Sequence, residues 1–520
     1  MRGYRVLKKS GRLEQIVLVK QALTERCLCL KRRDFSGLVM GYGVELGELI
    51  VRQELLVRIA GNRLNLAILL ASGKEHGRVL LPAPEEWRKI LTEHGFKVAD
   101  TRSALLWQIY VTALLFQGAV TIGKIAYAGI ITGRKAYTRK KRYAYFSDLG
   151  PGNLPRHGND SQSKDIISWY LKWPGRKSDI EVIHHNVVDA SSCNSGDIAI
   201  TAKPDPIPAL IGWNAVISFI IWGFLATLVA ALDCLRGRWW HALLLNQAVL
   251  AAQVRALPGE YLAREYLFHN SNWILRPLWT YEAERKGSSI LFYFYSTNCE
   301  GFKRGGGYPP LPYGWKAMNW SRYLVWDEYQ ADFVRRAVGE KAQITVVGQI
   351  WFQSSSADMP DFGWQGVAVF DVTPFRTSRY YAFGLDFDFY VPAVVNRFLE
   401  DISITSKQAG ALMLWKRKRN IGRFAHSEYR HFIKNMEKSD HVVLLDPDIS
   451  ANRVIESSVA VISMPYTSTA LIAKQMGKPS IYYDPCGLLQ RDDRAAHGVP
   501  ILSGVDELNA WISRQFILYP

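Results

Sequence analysis

The sequence predicts an α/β protein of two large domains, the second a parallel sheet covered by helices on both faces. Two observations carry that reading. A chain of 520 residues exceeds what one hydrophobic core supports and divides naturally in two. From about Tyr323 onward, short apolar runs of strand length alternate with longer amphipathic stretches, the pattern of successive strand–helix–strand units. Hydrophobic residues make up 48% of the chain against 21% charged, enough apolar surface to fill both interiors.

The apolar runs of the second domain are 344–347, 366–370, 411–415, 441–445, 459–464 and 479–483, and most are rich in Val, Ile and Leu. Helix-like stretches at 427–438 and 468–476 lie between several of them. Parallel sheets of this kind bind ligands beyond the carboxyl ends of their strands. The residues directly after each run are therefore the candidates for chemistry.

After 459–464 comes Pro465-Tyr466-Thr467-Ser468-Thr469, opening a helix. Thr467, Ser468 and Thr469, beside free backbone N–H groups and the positive end of a helix dipole, form a phosphate cradle. Ordinary helix capping needs only one such hydroxyl. After 411–415 comes Lys416-Arg417-Lys418-Arg419. A basic run is often a solvated surface, but at a strand end this one, with Lys416, Lys418 and Arg419 beside Arg417, is expected to clamp a phosphate or diphosphate. Asp371 and Thr373 close the 366–370 run and are placed to contact base or ribose. Gly348, after Val347, suits close approach of backbone to ligand, as well as a tight turn.

These residues carry a resemblance. The stretch 412–485 resembles the carboxy-terminal region of the bacterial PFTS-motif polysaccharide-biosynthesis proteins. The matching segments are Leu-Trp-Lys-Arg-Lys-Arg, Val-Ile-Ser-Met-Pro-Tyr-Thr-Ser and Gly-Lys-Pro-Ser-Ile-Tyr-Tyr-Asp-Pro. Weaker similarity extends upstream through Arg276-Pro277-Leu278-Trp279-Thr280, Tyr295-Ser296-Thr297-Asn298 and 80–107. Two positions depart from the pattern: Tyr466 stands where the family name puts Phe, and Arg417 where a Pro is expected. The resemblance implies a GT-B glycosyltransferase, with two Rossmann-like domains facing a cleft; one or two membrane-associating apolar helices in the amino-terminal half are expected from the sequence itself. It implies an acceptor-binding domain at 1–320, a nucleotide-sugar-binding domain at 321–485 and a segment 486–520 that packs back on the first domain. It also implies metal-independent transfer to a glycan or lipid-linked glycan of O-antigen or capsule type, the basic cluster and helix dipole stabilising the leaving phosphate. Hydroxyl turns of this kind also look like those of bacterial sialyl- and ulosonyl-transferases, so CMP-ulosonate, UDP-sugar and GDP-sugar donors all stay open.

In the first domain, the loop 149–155 follows the apolar run 143–146, with Asp148, His157, Asp160 and Asp165 in or beside it. Transfer with inversion needs a group to take the acceptor proton. Asp148, directly after the run, is the first candidate for that general base and His157 the alternative; loop polarity alone would also explain all four. The Gly/Pro-rich loop 298–312 carries Lys303 and Arg304 and reads as a closing segment or an acceptor-phosphate contact. Asp386 with Asp388, and Asp446 with Asp448, have the spacing of a cation pair, and Cys27 with Cys29 form a C-x-C pair. A metal site is expected at none of these, and no cofactor is expected.

The net charge of +17 calls for an anionic partner. Nucleic acid is not expected, because the basic residues form neither a helix face nor a stripe interleaved with aromatics. Scattered cysteines and the absence of a signal-like amino terminus point to the cytoplasm. Two apolar segments, 104–131 and 210–232, reach bilayer-spanning length. Basic clusters follow both, so two spans would place cations on opposite sides of the membrane, against the positive-inside rule. The expected arrangement lays both segments along the cytoplasmic leaflet of the bacterial inner membrane; a true span and buried core helices are the alternatives. Two such segments are too few for a transport bundle. A nucleotide-sugar epimerase of the same architecture is the competing enzyme, and a non-enzymatic basic nucleotide- or nucleic-acid-binding protein is the competing reading of the charge.

Overall fold

The computed structural model describes residues 2–26, 38, 44–132, 142–155, 164–271, 275–352, 359–360, 366–383, 389–417, 421–422 and 425–518. Its strands form two sheets. The first contains β1 (Tyr143–Phe146), β2 (Val182–His185), β3 (Cys193–Ser195), β4 (Ile198–Ala202), β5 (Glu265–His269), β6 (Ser289–Tyr293), β7 (Arg322–Val325) and β8 (Gln343–Val346). Their order is β3-β4-β2-β1-β5-β6-β7-β8, parallel throughout except for the β3–β4 hairpin. The second contains β9 (Gly366–Phe370), β10 (Leu412–Lys416), β11 (Val442–Leu445), β12 (Ala460–Ser463), β13 (Ser480–Asp484) and β14 (Ile501–Ser503), in the order β11-β10-β9-β12-β13-β14.

The second order is the doubly wound one in which strand addition reverses after the third strand. The reversal lies between β9 and β12, which pair directly with Phe370 opposite Ser463. Leaving β3 aside, the first sheet reverses in the same way between β1 and β5, where Phe146 pairs with Leu267. Every residue of β5, β9 and β13 is buried, because helices cover both faces and leave no wet side to alternate toward. One apolar core lies behind the first sheet; a second runs from its other face, at Ala144, Phe146 and Leu267, into β9, β10 and β12. The domains therefore pack through shared apolar contacts.

Two expected boundaries need correction. The position 321 falls inside the first domain, since β7 and β8 extend the first sheet from β6. The run at 344–347 is an edge strand of that sheet, and the chain crosses between β8 and β9. Apolar pattern alone cannot assign an edge strand to one of two parallel sheets. The segment 486–520 belongs to the second domain, and its residues 492–497 meet the first domain at Lys303, Glu300 and Asp327. It supplies β14, and its helix Val505–Leu518 packs on helix Pro392–Gln408 of the second domain, with Leu508 and Ile512 wholly buried.

The apolar segments form the helices Asp100–Thr132 and Trp213–Leu235, both long and apolar enough to cross a membrane. Glycines let them approach closely: Gly223 meets Ile122, and Gly129 meets Val216. Each lays one face on helix Trp240–Ala256, which is itself buried over most of its length. Their other faces are open, with Phe116 at 70% and Phe224 at 69% exposure, so the alternative of buried core helices is set aside.

Candidate functional site

Between β12 and the helix Ser468–Gln475 the chain makes a tight turn, and Tyr466 takes φ +60° there. A bulky side chain rarely tolerates that conformation, and here it is held from several sides. The buried Tyr466 hydroxyl donates to Asp493 Oδ2 at 2.6 Å, and its ring lies 4.3 Å from that of Phe302. Tyr390 donates to the Pro465 carbonyl and Tyr482 to the Thr467 carbonyl, both at 2.8 Å. Thr467 occupies the cap position but makes no side-chain capping bond. Its Oγ1 donates instead to Met464 O at 2.9 Å and lies 3.0 Å from Thr469 Oγ1, which lies 2.8 Å from Ser463 Oγ. The hydroxyls are thus wired to one another at the strand end, and the helix amino terminus lacks a cap from Thr467. Ordinary capping does not describe this turn.

Across the reversal point stands Asp371, directly after β9 and 2% exposed. Burial pushes its carboxyl up from 3.8 to about 6, against the opposing effects of the Tyr429 hydroxyl, Trp415 and Arg417. Asp371 is therefore a buried support at the strand end, and Thr373, two residues on, is half-buried. Lys416 is likewise buried, and its ammonium donates to Arg417 O at 3.2 Å and Pro447 O at 3.1 Å. That amine ties two strand-end loops together, and burial lowers its pKa. Arg417, half-buried at the end of β10, bears electrostatically on Asp371, and its Nε has no hydrogen-bond partner among the described residues. Lys418 and Arg419 lie outside the described residues. Gly348 has φ +74°, but it follows the edge strand β8 of the first sheet and turns the chain toward the second domain, away from the β9–β12 reversal.

On the facing side, Asp148 follows β1 at the first sheet's reversal point, exposed and with φ +62°. Its carbonyl accepts from His269 Nε2 at 3.2 Å, and Asn186 brackets the next residue through Leu149 N at 2.6 Å and Leu149 O at 3.0 Å. His269 is buried, which lowers its pKa. Its Nδ1 accepts from Ser271 N at 3.3 Å, so the ring is a neutral brace. Asp165, fully buried, caps helix Ile166–Lys172 by accepting from Ser168 N at 2.9 Å. His157 and Asp160 lie outside the described residues.

The two sides meet. Thr297, four residues after β6, donates from both its N and its Oγ1 to Ser468 Oγ at 3.3 Å. The loop beyond it crosses to the second domain: Lys303 N donates to Asp493 Oδ2 at 2.7 Å, and the Lys303 ammonium pairs with Asp492. Arg494 bonds Glu300 at 3.2 Å and stacks 3.7 Å from the Tyr308 ring centre, while His497 meets Asp327 at 2.8 Å. Lys303 thus serves as an interdomain tie, whereas Arg304 is exposed in a turn closed by Gly307. Asp446 accepts from Asp448 N at 2.8 Å, a local turn. Among the described residues no group of three His, Cys, Asp or Glu is gathered for a metal; Asp386, Asp388, Cys27 and Cys29 lie outside them.

Three residues at this junction were not singled out from the sequence as site residues. Thr297 follows a strand and was open to the same rule that found Thr467; Arg417 was read only as one member of the basic run. His269 was hidden because β5 begins with Glu265 and ends in His, which breaks its apolar run. Asp493 carries no local signal.

Two doubly wound sheets, joined through Thr297 and Ser468, define a two-domain α/β protein. The family model described as polysaccharide biosynthesis PFTS motif protein matches residues 220–512, more than half of the chain, and the chain belongs to that family. No curated protein matches it in sequence. Among solved structures, it is similar to the wall teichoic acid polymerase TagF, with 10% identity, TM-score 0.39, and 79% of this chain and 90% of that chain covered. It is also similar to an α,α-trehalose-phosphate synthase (UDP-forming) from Burkholderia vietnamiensis, with 12% identity, TM-score 0.33, and 74% and 92% covered. A third is the UDP-GlcNAc 2-epimerase from Methanocaldococcus jannaschii, with 8% identity, TM-score 0.37, and 73% and 93% covered.

Proposed function

We propose that this protein is a glycosyltransferase that moves a sugar from a nucleotide-sugar donor to a lipid-linked surface polysaccharide. The observation that supports this best is the junction of the Thr467–Thr469 turn with the first domain through Thr297 and Ser468. Donor phosphates would rest on the N–H groups at the start of helix Ser468–Gln475, beside Thr467 and Thr469, with Arg417 adding positive charge from β10. In an inverting displacement the acceptor hydroxyl oxygen attacks the anomeric carbon. The bond from that carbon to the donor phosphate oxygen breaks, and the nucleotide leaves with the electron pair. Asp148 takes the acceptor proton. The helix terminus and cations stabilise the departing charge, so no metal is needed. The loop carrying Lys303 would shield the reacting centre from water.

CMP-ulosonate, UDP-sugar and GDP-sugar donors share this phosphate chemistry. Calorimetric titration with CMP, UDP and GDP distinguishes them: one is expected to bind, and its cognate nucleotide-sugar should release nucleotide to a lipid-linked acceptor with EDTA present. Binding of none by folded protein overturns the reading, as does epimerised nucleotide-sugar formed without acceptor.

A further inference from the structure

The outer faces of Asp100–Thr132 and Trp213–Leu235 are mostly apolar, with exposed Gln108, Gln117 and Lys124 interrupting the first. On the first, Leu105, Ile109, Phe116, Val120, Tyr127 and Ile131 are exposed at helical spacing. On the second, Ile217, Ile221, Phe224, Leu225 and Leu228 continue the surface, all 47% exposed or more. Contiguous exposed patches of this extent mark an interaction face.

Charge says what covers it. Beyond Asp100 the two helices contain a single carboxylate, Asp233, which is 7% exposed and paired with Arg238 at 3.1 Å and His241 at 2.9 Å. Exposed Arg102 and Arg236 mark one end of the pair, the half-exposed Trp213 the other. At the first end a cavity of about 690 Å³ opens, lined by Arg88, Arg236, Arg238, Trp107, Trp239 and Glu86 among others. Cations and Trp at the ends of an apolar face match the headgroup zone of an acidic bilayer.

The inner faces say how it lies. Trp107 meets Trp239 edge-on at 5.1 Å, Gly118 admits Leu245, and Thr121 donates to Asn246 at 2.9 Å. Helix Trp240–Ala256 rests in turn on helix Trp279–Arg285, which covers the first sheet. Both long helices therefore lie flat on the domain. Spanning a bilayer in this arrangement would carry the buried polar side chains of Trp240–Ala256 and the sheet behind it into hydrocarbon.

We propose that this face docks in the plane of one leaflet of an anionic phospholipid bilayer, the cytoplasmic face of the bacterial inner membrane. The apolar stripes sink among the acyl chains, and the cavity edged by Arg236 and Arg238 receives a lipid headgroup phosphate. The inference is independent of the sugar-transfer reading.

The test is flotation of the full chain with vesicles of phosphatidylglycerol and phosphatidylcholine in equal parts. Wild type should float, more weakly as salt rises. Phe116→Glu with Phe224→Glu should lower partitioning by at least about 100-fold, with unchanged thermal midpoint and nucleotide binding. Arg236→Gln should reduce the preference for phosphatidylglycerol over pure phosphatidylcholine vesicles. An impermeant maleimide added outside should label both Arg102→Cys and Asn214→Cys on bound protein. Failure of wild type to float, flotation of the double Glu variant, labelling at one end only, or a dimer that splits in the double variant without vesicle binding would each overturn the proposal.

Discussion

Replacing Thr467 and Ser468 together by alanine separates ligand recognition from folding. In the fold, Thr467 Oγ1 contributes a 2.9 Å bond to Met464 O, and Ser468 Oγ accepts two long bonds of 3.3 Å from Thr297. An ordinary intramolecular hydrogen bond contributes about 1 kcal/mol net, and long ones less. The double variant should therefore lose about 2 kcal/mol, a midpoint shift of roughly 4–8 °C for a domain of this size. A hydrogen bond to a charged phosphate contributes about 1.5–3 kcal/mol, so losing two weakens nucleotide binding by about 3–6 kcal/mol, roughly 10²- to 10⁴-fold in Kd. Calorimetry gives the Kd and a melting scan gives the shift. Thr297→Val is the control: it removes the facing hydroxyl and should lower the midpoint while leaving nucleotide affinity within a few-fold. If the double variant binds within about tenfold of wild type, the hydroxyls serve only the turn and the phosphate reading fails.

Asp148→Asn should reduce kcat by about 10²- to 10⁴-fold with nucleotide Kd unchanged; full activity in this variant would remove Asp148 as the base. Asp371 offers a pH test. Its carboxyl is raised from 3.8 to about 6 by burial, so the folded state binds a proton more tightly than the unfolded chain does. Stability is then greatest when Asp371 is protonated and declines as pH rises from about 4 to about 6, by an order of about 3 kcal/mol, and is level above. Asp371→Asn retains an acceptor for Tyr429 and should abolish that slope in melting midpoints taken from pH 4.5 to 8; an identical slope in the variant would refute it.

The second domain was more legible than the first, for a physical reason. β9, β10, β12 and β13 are buried on both faces and read as unbroken apolar runs, so their ends, and hence Thr467 and Asp371, could be located. β2 and β5 carry histidines whose rings bond neighbouring strands or loops, and their composition masks the period. Which end residues face ligand and which face inward was not legible at all. Asp371 and Lys416 occupy strand ends as expected, yet they are buried and bonded to their own domain. Position along a strand follows from local pattern, whereas side-chain exposure depends on helices such as Ser427–Met436 that arrive later in the chain. The crossing of β7 and β8 into the first sheet is of the same kind, since sheet membership is a long-range property.

Backbone strain gives an independent reason to place the chemistry in this cleft. Among the described residues, left-handed φ at non-glycine positions occurs at Asp148, Tyr466 and His497. Such conformations cost of order 1–3 kcal/mol each and persist only where neighbours over-determine them. Asp148 is braced by His269 and Asn186, Tyr466 by Asp493 and Phe302, and His497 by Asp327 of the facing domain. The first two sit at the reversal points of the two sheets; the third pins the loop that carries Asp493. If these turns served only to reverse the chain, glycine would do so without the penalty, as it does at fourteen other positive-φ positions. A carboxylate and a phenol there fit the proposed chemistry: Asp148 is exposed for the role of base, and Tyr466 holds the Thr467–Thr469 turn through Asp493 and Phe302.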